Sequence, residues 1–201
     1  MKNVISMKQW TTSLTNLVKS TNEYEPAIFR EIKKKYVFQP QTKIELKDAI
    51  TNWCYHNNMC AHQFGHPSLW NTSKITDMSN LFKCPTVCSF ELCEHNRCRY
   101  KVCLFNCDIN DWDVSNVTNM QCTFENCKVF NQPLNNWDVS KVKHMENMFS
   151  GAYDFDQDLS KWPLSLDVVT LEYAYNVNNC FELLMFDNCN IKNNNKPKAL
   201  D

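Results

Sequence analysis

The chain has 201 residues, of which 43% are apolar, and a formal net charge of −1 at pH 7. This length and composition allow one or two compact domains that fold on their own. Charge is uneven: residues 1–104 carry 14 Lys and Arg against 8 Asp and Glu, and residues 105–189 carry 4 against 13. The acidic half argues against nucleic-acid binding, because phosphate would be repelled, and favours a basic protein partner.

Helical patterns dominate the first 64 residues. Apolar spacing predicts one amphipathic helix at 10–18, and Pro26 opens a second that runs to Tyr36. Thr42-Lys-Ile-Glu45 is a capping box that starts a third. The apolar face of this third helix comprises Leu46, Ala49, Ile50 and Trp53. We expect residues 1–64 to form a helical cap.

The second half repeats a 25-residue pattern. Segments 105–115, 130–140 and 155–165 each begin with Phe and carry Trp seven residues later. The Phe residues are Phe105, Phe130 and Phe155, and the Trp residues are Trp112, Trp137 and Trp162. A strict period with apolar residues between these aromatics predicts that they form the core, together with Met78, Met120 and Met145.

Helical spacing follows each Trp of the full repeats. Apolar residues recur at i, i+3 and i+7, which predicts short helices with Ser115 and Ser140 as N-caps. These sets are Val117, Met120, Phe124 and Val142, Met145, Phe149. A divergent unit beginning near Pro67 shows the same set at Ile75, Met78 and Phe82, and the last unit shows it at Val168, Leu171 and Tyr175.

These patterns predict an α/β repeat solenoid with an N-terminal helical cap. The predicted regions are the cap at 1–64, the repeats at 65–189 and a polar C-terminal tail at 190–201 that is poorly ordered without a partner. A Cys-rich insertion at about 83–104 interrupts the repeats. Insertions of this kind emerge as loops on one face, often the binding face.

The repeat also resembles a known family. Residues Phe130 to Phe149 read Phe-Asn-Gln-Pro-Leu-Asn-Asn-Trp-Asp-Val-Ser-Lys-Val-Lys-His-Met-Glu-Asn-Met-Phe, which is similar to the repeat of BspA-like leucine-rich-repeat surface proteins. The resemblance covers about residues 42–175 and implies a leucine-rich-repeat-like α/β solenoid used for adhesion or assembly, with no catalytic residues to carry over. This sequence lacks the signal peptide and lipobox of the surface lipoproteins, so a giant-virus member is expected, located in a virion or the host cytoplasm.

The 12 cysteines are the main chemical feature. No secretory signal or membrane span is visible, so they are read first as reduced thiols or metal ligands, with disulfides in a later-oxidised particle as the alternative. Zinc is the one cofactor that the sequence suggests. Its weak candidate ligands are Cys84, Cys88, Cys93, Cys98, Cys103 and Cys107. The same six residues are disulfide candidates, together with Cys122, Cys127, Cys180 and Cys189.

Two other patterns suggest ligands less strongly. Cys54, Cys60, His62 and His66 form a second candidate metal cluster. Asp154, Asp156 and Asp158 imitate the start of an EF-hand, but Leu159 replaces the required Gly and Ser165 the required Glu, so a calcium loop is rejected in favour of a solvated acidic edge.

The sequence therefore predicts a non-enzymatic structural or protein-interaction repeat protein, a minor capsid or other virion component. Its partners are expected to be proteins that bind the acidic repeat face and the Cys-rich loop. A cell-surface adhesion module and a Cys-rich metal- or redox-binding module are the alternatives.

Overall fold

The computed structural model describes residues 37–85, 100–163 and 185–197, with the side chains of all of these except 57–62. They contain one α-helix, α1 (Lys43–Phe64), and three short 3-10 helices, Pro67–Leu69, Lys101–Leu104 and Asn193–Asn195. The helices predicted at 10–18 and 26–36, and the apolar set at Val168, Leu171 and Tyr175, lie outside the described residues. No helix in the described part is both long and apolar enough to cross a membrane.

Helix α1 begins at the predicted capping box. The Thr42 side chain accepts a hydrogen bond from the backbone N–H of Glu45 at 3.2 Å, which satisfies one donor of the first turn. The helix is kinked at His56 and is followed by Gly65, whose φ of 70° favours glycine. The predicted apolar face is confirmed, since Leu46, Ala49 and Ile50 are buried and Trp53 is partly buried.

The repeats lie side by side as units 1 (67–84), 2 (105–129), 3 (130–154) and 4 (155–163). Backbone hydrogen bonds join alternate residues of neighbouring units, so that unit 2 satisfies backbone donors of unit 1 and unit 3 satisfies those of unit 2. In unit 2 the donors are Met120, Cys122, Phe124 and Asn126, and the acceptors in unit 3 are His144, Glu146, Met148 and Ser150, at 2.7 to 2.9 Å. Units 1 and 2 pair in the same way, and Asp77, Asn119 and His144 form isolated parallel bridges.

The predicted α/β leucine-rich-repeat-like solenoid is wrong. Residues 37–85, 100–163 and 185–197 contain no strand, and the short helices predicted after each Trp of units 1 to 3 are successive turns instead. At equivalent positions of units 1 to 3, Asn80, Cys122 and Asn147 have φ between 55° and 56°, in the left-handed region, which interrupts a right-handed helix.

The apolar spacing has a different cause from the one predicted. Turns closed by hydrogen bonds between residues three apart follow one another in unit 2, and several begin at apolar residues. The Val117 N–H donates to the Val114 carbonyl at 2.8 Å, and the Cys127 N–H donates to the Phe124 carbonyl at 3.0 Å. A run of such turns returns an apolar residue to the interior every three or four positions, as a helix does.

Aromatic columns run through the interior across the units. Phe82, Phe124, Phe149 and Phe186 form one column, with successive ring centroids 5.0 to 5.6 Å apart and planes within 7° of parallel. Phe105, Phe130 and Phe155 form a second, and the Trp rings lie beside them. The three repeated Trp residues are only 2 to 3% exposed and the repeated Phe and Met residues are also buried, which confirms the predicted core.

Residues 185–197 continue this stack as a partial unit that pairs with both unit 3 and unit 4. The Phe149 N–H donates to the Met185 carbonyl at 2.9 Å, as the equivalent Phe124 N–H donates to Met148 at 2.8 Å. Ile191 is buried, and the N–H of Lys192 donates to Asp156 Oδ1 at 3.0 Å. Much of the segment predicted as a polar tail therefore packs against unit 4.

Candidate interaction surface

The turns around each Trp place a row of polar side chains on one edge of the stacked units. We call this row the turn edge. Its exposed members are Asp108, Asp111, Asp113, Asn136, Asp138, Asp158 and Lys161. In unit 2 these alternate with the buried residues Ile109, Trp112 and Val114, so the chain directs one set inward and the other to solvent.

Carboxylates shape the turns of this edge. Asp113 Oδ1 accepts hydrogen bonds from the Ser115 N–H at 3.1 Å and from the Ser115 hydroxyl at 2.7 Å. Asp138 and Ser140 repeat the backbone contact at 3.1 Å. Ser115 and Ser140 are therefore the donors of Asx turns rather than the predicted helix N-caps.

Amide side chains join neighbouring units along the same edge. The Asn136 N–H donates to Asn110 Oδ1 at 3.0 Å, and Asn136 Nδ2 donates to Asp111 Oδ1 at 3.4 Å. Asn110 Nδ2 donates to Asn135 Oδ1 at 3.2 Å, and Lys141 Nζ donates to Asn116 at 3.2 Å. These contacts hold exposed side chains in a fixed order, which reduces the conformational entropy that a partner must remove on binding.

Buried positions repeat between units 2 and 3, whereas the exposed position directly before each repeated Trp varies. The buried sequence of Phe, Ile or Leu, Trp and Val is the same in units 2 and 3. The exposed positions change from Asp111 in unit 2 to Asn136 in unit 3 and Lys161 in unit 4. The stack therefore keeps one interior and presents a different side chain at this position in each unit, while the position after Trp is Asp in both unit 2 and unit 3.

Two carboxylates of the turn edge, Asp138 and Asp158, have lowered pKa values. Hydrogen bonds from the side chain and then the backbone of Ser140 lower the pKa of Asp138, and those from Ser160 lower the pKa of Asp158 in the same way. Within residues 105–163 there are nine Asp and Glu against four Lys and no Arg. The edge is thus anionic at neutral pH.

A second polar row, the amide ladder, follows the position after each repeated Phe. Asn106 Oδ1 accepts from the Asn131 N–H at 3.0 Å, and Asn131 Oδ1 accepts from the Asp156 N–H at 3.1 Å. Asp156 in turn accepts from the backbone and side chain of Lys192 and from Asn195 Nδ2. Hydrogen bonds from the Lys192 side chain and then its backbone lower the pKa of Asp156.

Helix α1 lies at the opposite end, against unit 1. Lys43 Nζ donates to Asp77 Oδ2 at 3.0 Å and also to the Ser79 hydroxyl, and Lys47 Nζ donates to the Asn80 carbonyl at 3.1 Å. Burial raises the pKa of Asp77, but hydrogen bonds from Ser79 and Lys43 outweigh it and lower the pKa. These contacts join α1 to unit 1.

The predicted cysteine series lies only partly in the described residues. Cys84 and Cys103 are buried and Cys107 is half-buried, and all three are thiols, whereas Cys88, Cys93 and Cys98 lie outside the described part. Trp53 Nε1 donates to Cys107 Sγ at 3.2 Å, and burial raises the pKa of Cys107. No group of three metal-binding side chains occurs among the residues that the structure describes.

The second cysteine and histidine cluster is likewise only partly described. Cys54 packs against the core, and the His66 ring lies 4.9 Å from the Trp53 ring. Burial lowers the pKa of His66, and the charge of Asp108 acts in the opposite direction. The side chains of Cys60 and His62 are among those not described.

The remaining candidate cysteines have separate surroundings. Cys127 Sγ donates to the Phe82 carbonyl at 3.0 Å and Cys189 Sγ to the Phe155 carbonyl at 3.6 Å, and burial raises the pKa of Cys189. Cys180 lies outside the described residues. Burial, then hydrogen bonding and repulsion from Glu125, raise the pKa of Cys122 to about 11. Disulfide pairing among these residues remains a prediction.

The three aspartates that imitate an EF-hand have different structural partners. Asp156 accepts from Lys192, Asp158 accepts from the Ser160 N–H at 2.9 Å, and the Asp154 N–H donates to the Lys128 carbonyl. Asp154 and Asp158 are exposed and Asp156 is half-buried. These contacts fit the expectation of an acidic edge and assign Asp156 to the amide ladder.

Sequence reasoning missed the amide ladder and the last partial unit. The ladder had a readable signal, because Phe105, Phe130 and Phe155 are followed by Asn, Asn and Asp. The partial unit had a weaker one, since Phe186 follows Phe149 by 37 residues instead of 25.

Comparison with known proteins gives one match. The model of a family described as Mycoplasma protein of unknown function, DUF285, matches residues 35–96 and 93–193. BspA-like proteins carry this domain, so the match supports the resemblance as far as a repeat-type surface protein family. No curated protein and no solved structure matches the chain.

Proposed function

This chain belongs to the DUF285 family, and we propose that it is a non-enzymatic interaction scaffold whose turn edge binds a basic segment of another protein. The observation that carries the proposal is the contrast between a repeated interior and a varied exterior. Units 2 to 4 place the same aromatic residues inside, while the equivalent exposed positions carry Asp111, Asn136 and Lys161.

Electrostatics favour a cationic partner. Hydrogen bonds to serine lower the pKa of Asp138 and Asp158, so these carboxylates stay charged at neutral pH. Asp111 is held by Asn136, and Asp113 is held by Ser115. An arginine- or lysine-rich segment would meet anionic groups held in fixed positions, which increases both the rate and the specificity of association.

Carboxyl footprinting tests this proposal. The protein is treated with a water-soluble carbodiimide and glycine ethyl ester, with and without a short peptide of alternating Arg and Gly. We expect the peptide to protect Asp111, Asp113 and Asp138 more than the exposed Asp48 and Asp187. Equal protection of all five side chains would contradict binding at the turn edge.

Placement in a virion or in the host cytoplasm remains a prediction from the sequence, as do the adhesion and metal-binding alternatives. The scaffold proposal does not depend on which of these locations is correct, because it rests on the geometry of units 2 to 4.

A further inference from the structure

Two cysteines at the base of the Cys-rich insertion are buried together. Cys84 and Cys103 are both 0% exposed and form a small cluster separate from the main core, with Leu104 packed against it. They are 19 positions apart in the sequence, one at each end of the insertion. The fold therefore brings two thiols together where the inserted chain leaves and rejoins the units.

Backbone contacts fix both residues independently of each other. The Cys84 N–H donates to the Glu125 carbonyl at 2.9 Å, and the Cys84 carbonyl accepts from Asn126 Nδ2 at 3.3 Å, which ties Cys84 to unit 2. Cys103 lies in the 3-10 helix Lys101–Leu104, which packs against α1, and both its N–H and its thiol donate to the Tyr100 carbonyl, at 3.1 and 2.5 Å. Their proximity is thus a property of the folded units.

We propose that Cys84 and Cys103 form a disulfide under oxidising conditions and thereby close residues 85–102 into a covalent loop. The oxidant is a low-molecular-weight disulfide such as oxidised glutathione. One cysteine thiolate attacks it, which forms a mixed disulfide and releases one glutathione thiolate. The second cysteine thiolate attacks the first cysteine's sulfur and expels the other glutathione. The two protons of the protein thiols end on the two glutathione thiols.

The Cys103 thiol must leave the Tyr100 carbonyl to react, whereas the other described cysteines of units 1 to 3 have contacts elsewhere in the core. Cys107 accepts from the Trp53 indole, Cys127 donates to the Phe82 carbonyl, and Cys122 lies beside Glu125. Cys84 and Cys103 are the pair of cysteines that the described residues place in one cluster apart from the main core.

Reaction requires a local opening, because neither residue is exposed. This opening need not involve the whole fold, since Cys84 lies between the exposed residues Lys83 and Pro85. Oxidation should therefore proceed more slowly than that of a surface thiol, yet without denaturant.

The test is peptide mapping of the whole chain after equilibration in a glutathione redox buffer. Remaining thiols are alkylated at low pH, and linked peptides are identified by mass spectrometry. We expect a peptide pair joined through Cys84 and Cys103 that is lighter than the reduced pair by two hydrogen atoms. Alkylation of both residues, or pairing of either one with a different cysteine, would overturn the proposal.

Variants provide a second measurement. We expect oxidised wild-type protein to unfold at a higher urea concentration than reduced protein, because the crosslink restricts the unfolded chain. The difference should be lost in Cys84→Ala and Cys103→Ala and kept in Cys127→Ala, which removes another buried thiol. A difference of the same size in all three variants would show that another crosslink is responsible. If either Ala variant fails to fold, the peptide map of the wild-type chain decides.

Discussion

The Trp137 indole donates from Nε1 to the Ile109 carbonyl at 3.0 Å, and the same carbonyl accepts the backbone N–H of Trp112 at 3.0 Å. One oxygen therefore closes a turn within unit 2 and also binds the next unit. Unit 4 repeats the arrangement, because Leu134 accepts from the Trp162 indole at 3.1 Å and from the Trp137 N–H. Each repeated Trp thus contributes both packing and a directional bond between units.

Replacing Trp137 with Phe should lower the free energy of unfolding by about 2 kcal/mol, from one lost hydrogen bond and the void left by a smaller ring. Urea denaturation followed by circular dichroism measures the loss. Trp53→Phe is the comparison, because this half-buried indole donates only to the Cys107 sulfur, a weaker acceptor than a carbonyl, and it should cost less than half as much. Equal losses would show that the bond to the Ile109 carbonyl contributes no more than the bond to sulfur.

The amide ladder makes a separate contribution. Asn131 Oδ1 accepts from the Asp156 N–H at 3.1 Å and from Gln157 Nε2 at 2.7 Å, so Asn131→Ala leaves both donors without this acceptor. We expect a loss of about 1 to 2 kcal/mol in urea unfolding. Asn131→Asp keeps an acceptor oxygen and should recover most of it. An Asp variant as unstable as the Ala variant would contradict the role of this acceptor.

Gly151 tests the close approach of units 2 and 3. Its φ is 68°, and a Cβ at this position would lie 2.5 Å from Asn126 Oδ1. Gly151→Ala should therefore cost about 2 kcal/mol or more, from backbone strain together with steric overlap. In an Asn126→Gly background the overlap is removed, and the cost should fall to about 1 kcal/mol. If Gly151→Ala costs the same stability in both backgrounds, measured by thermal or urea unfolding, the whole effect comes from backbone strain and not from overlap with Asn126.

The raised pKa of Cys122 predicts that the folded chain loses stability at high pH. Its pKa is about 11 in the folded chain, against an ordinary value of 9.0, so the folded state retains the proton longer than the unfolded state. The free energy of unfolding should fall as the pH rises from about 9 to about 11. The variant to compare with the wild type is Cys122→Asn. Asn occurs at the equivalent positions Asn80 and Asn147 and tolerates positive φ. A Cys122→Asn variant with the same slope would show that other groups cause it.

The core and helix α1 could be predicted because their signals are local or strictly periodic. Phe130 and Phe155 recur in the same sequence context, so the same environment must bury each of them. The Thr42 capping box specifies a helix start through contacts within four residues. Neither prediction required knowledge of which units are neighbours.

The backbone of the units could not be predicted in the same way. Residues spaced by three and four, such as Val117, Met120 and Phe124, fit both a helix and a run of turns. The choice between a helix and a run of turns depends on backbone donors that pair with the next unit and on the left-handed φ of Cys122. Cysteine as a residue type does not indicate a left-handed φ. Asn80 and Asn147 at the equivalent positions were the available hint, because Asn adopts this region more readily than most residues.

The sequence predicted the negative charge of the candidate surface but not which residues form it. Composition showed that residues 105–189 are acidic, but it did not show which carboxylates are exposed. Asp113 and Asp138 lie on the turn edge, whereas the carboxylate of Asp156 is held within the amide ladder by Lys192. Only the pairing of the units separates these roles.

Comparison of two triple variants for peptide binding tests the scaffold proposal most directly. Asp111, Asp113 and Asp138 are changed to Asn, which keeps the acceptor oxygens of the turns and removes three charges from the edge. The control changes Asp48, Asp154 and Asp187 to Asn, three exposed residues outside the turn edge, for the same change in net charge. Binding of the alternating Arg and Gly peptide is followed by fluorescence anisotropy.

We predict that the edge variant binds the peptide about 10-fold more weakly than the wild type, as expected for three exposed charge contacts of about 0.5 kcal/mol each. The control variant should bind within about twofold of the wild type, since screening limits charges that do not contact the peptide. Equal weakening in both variants would mean that net charge alone governs binding and would contradict a specific role for the turn edge.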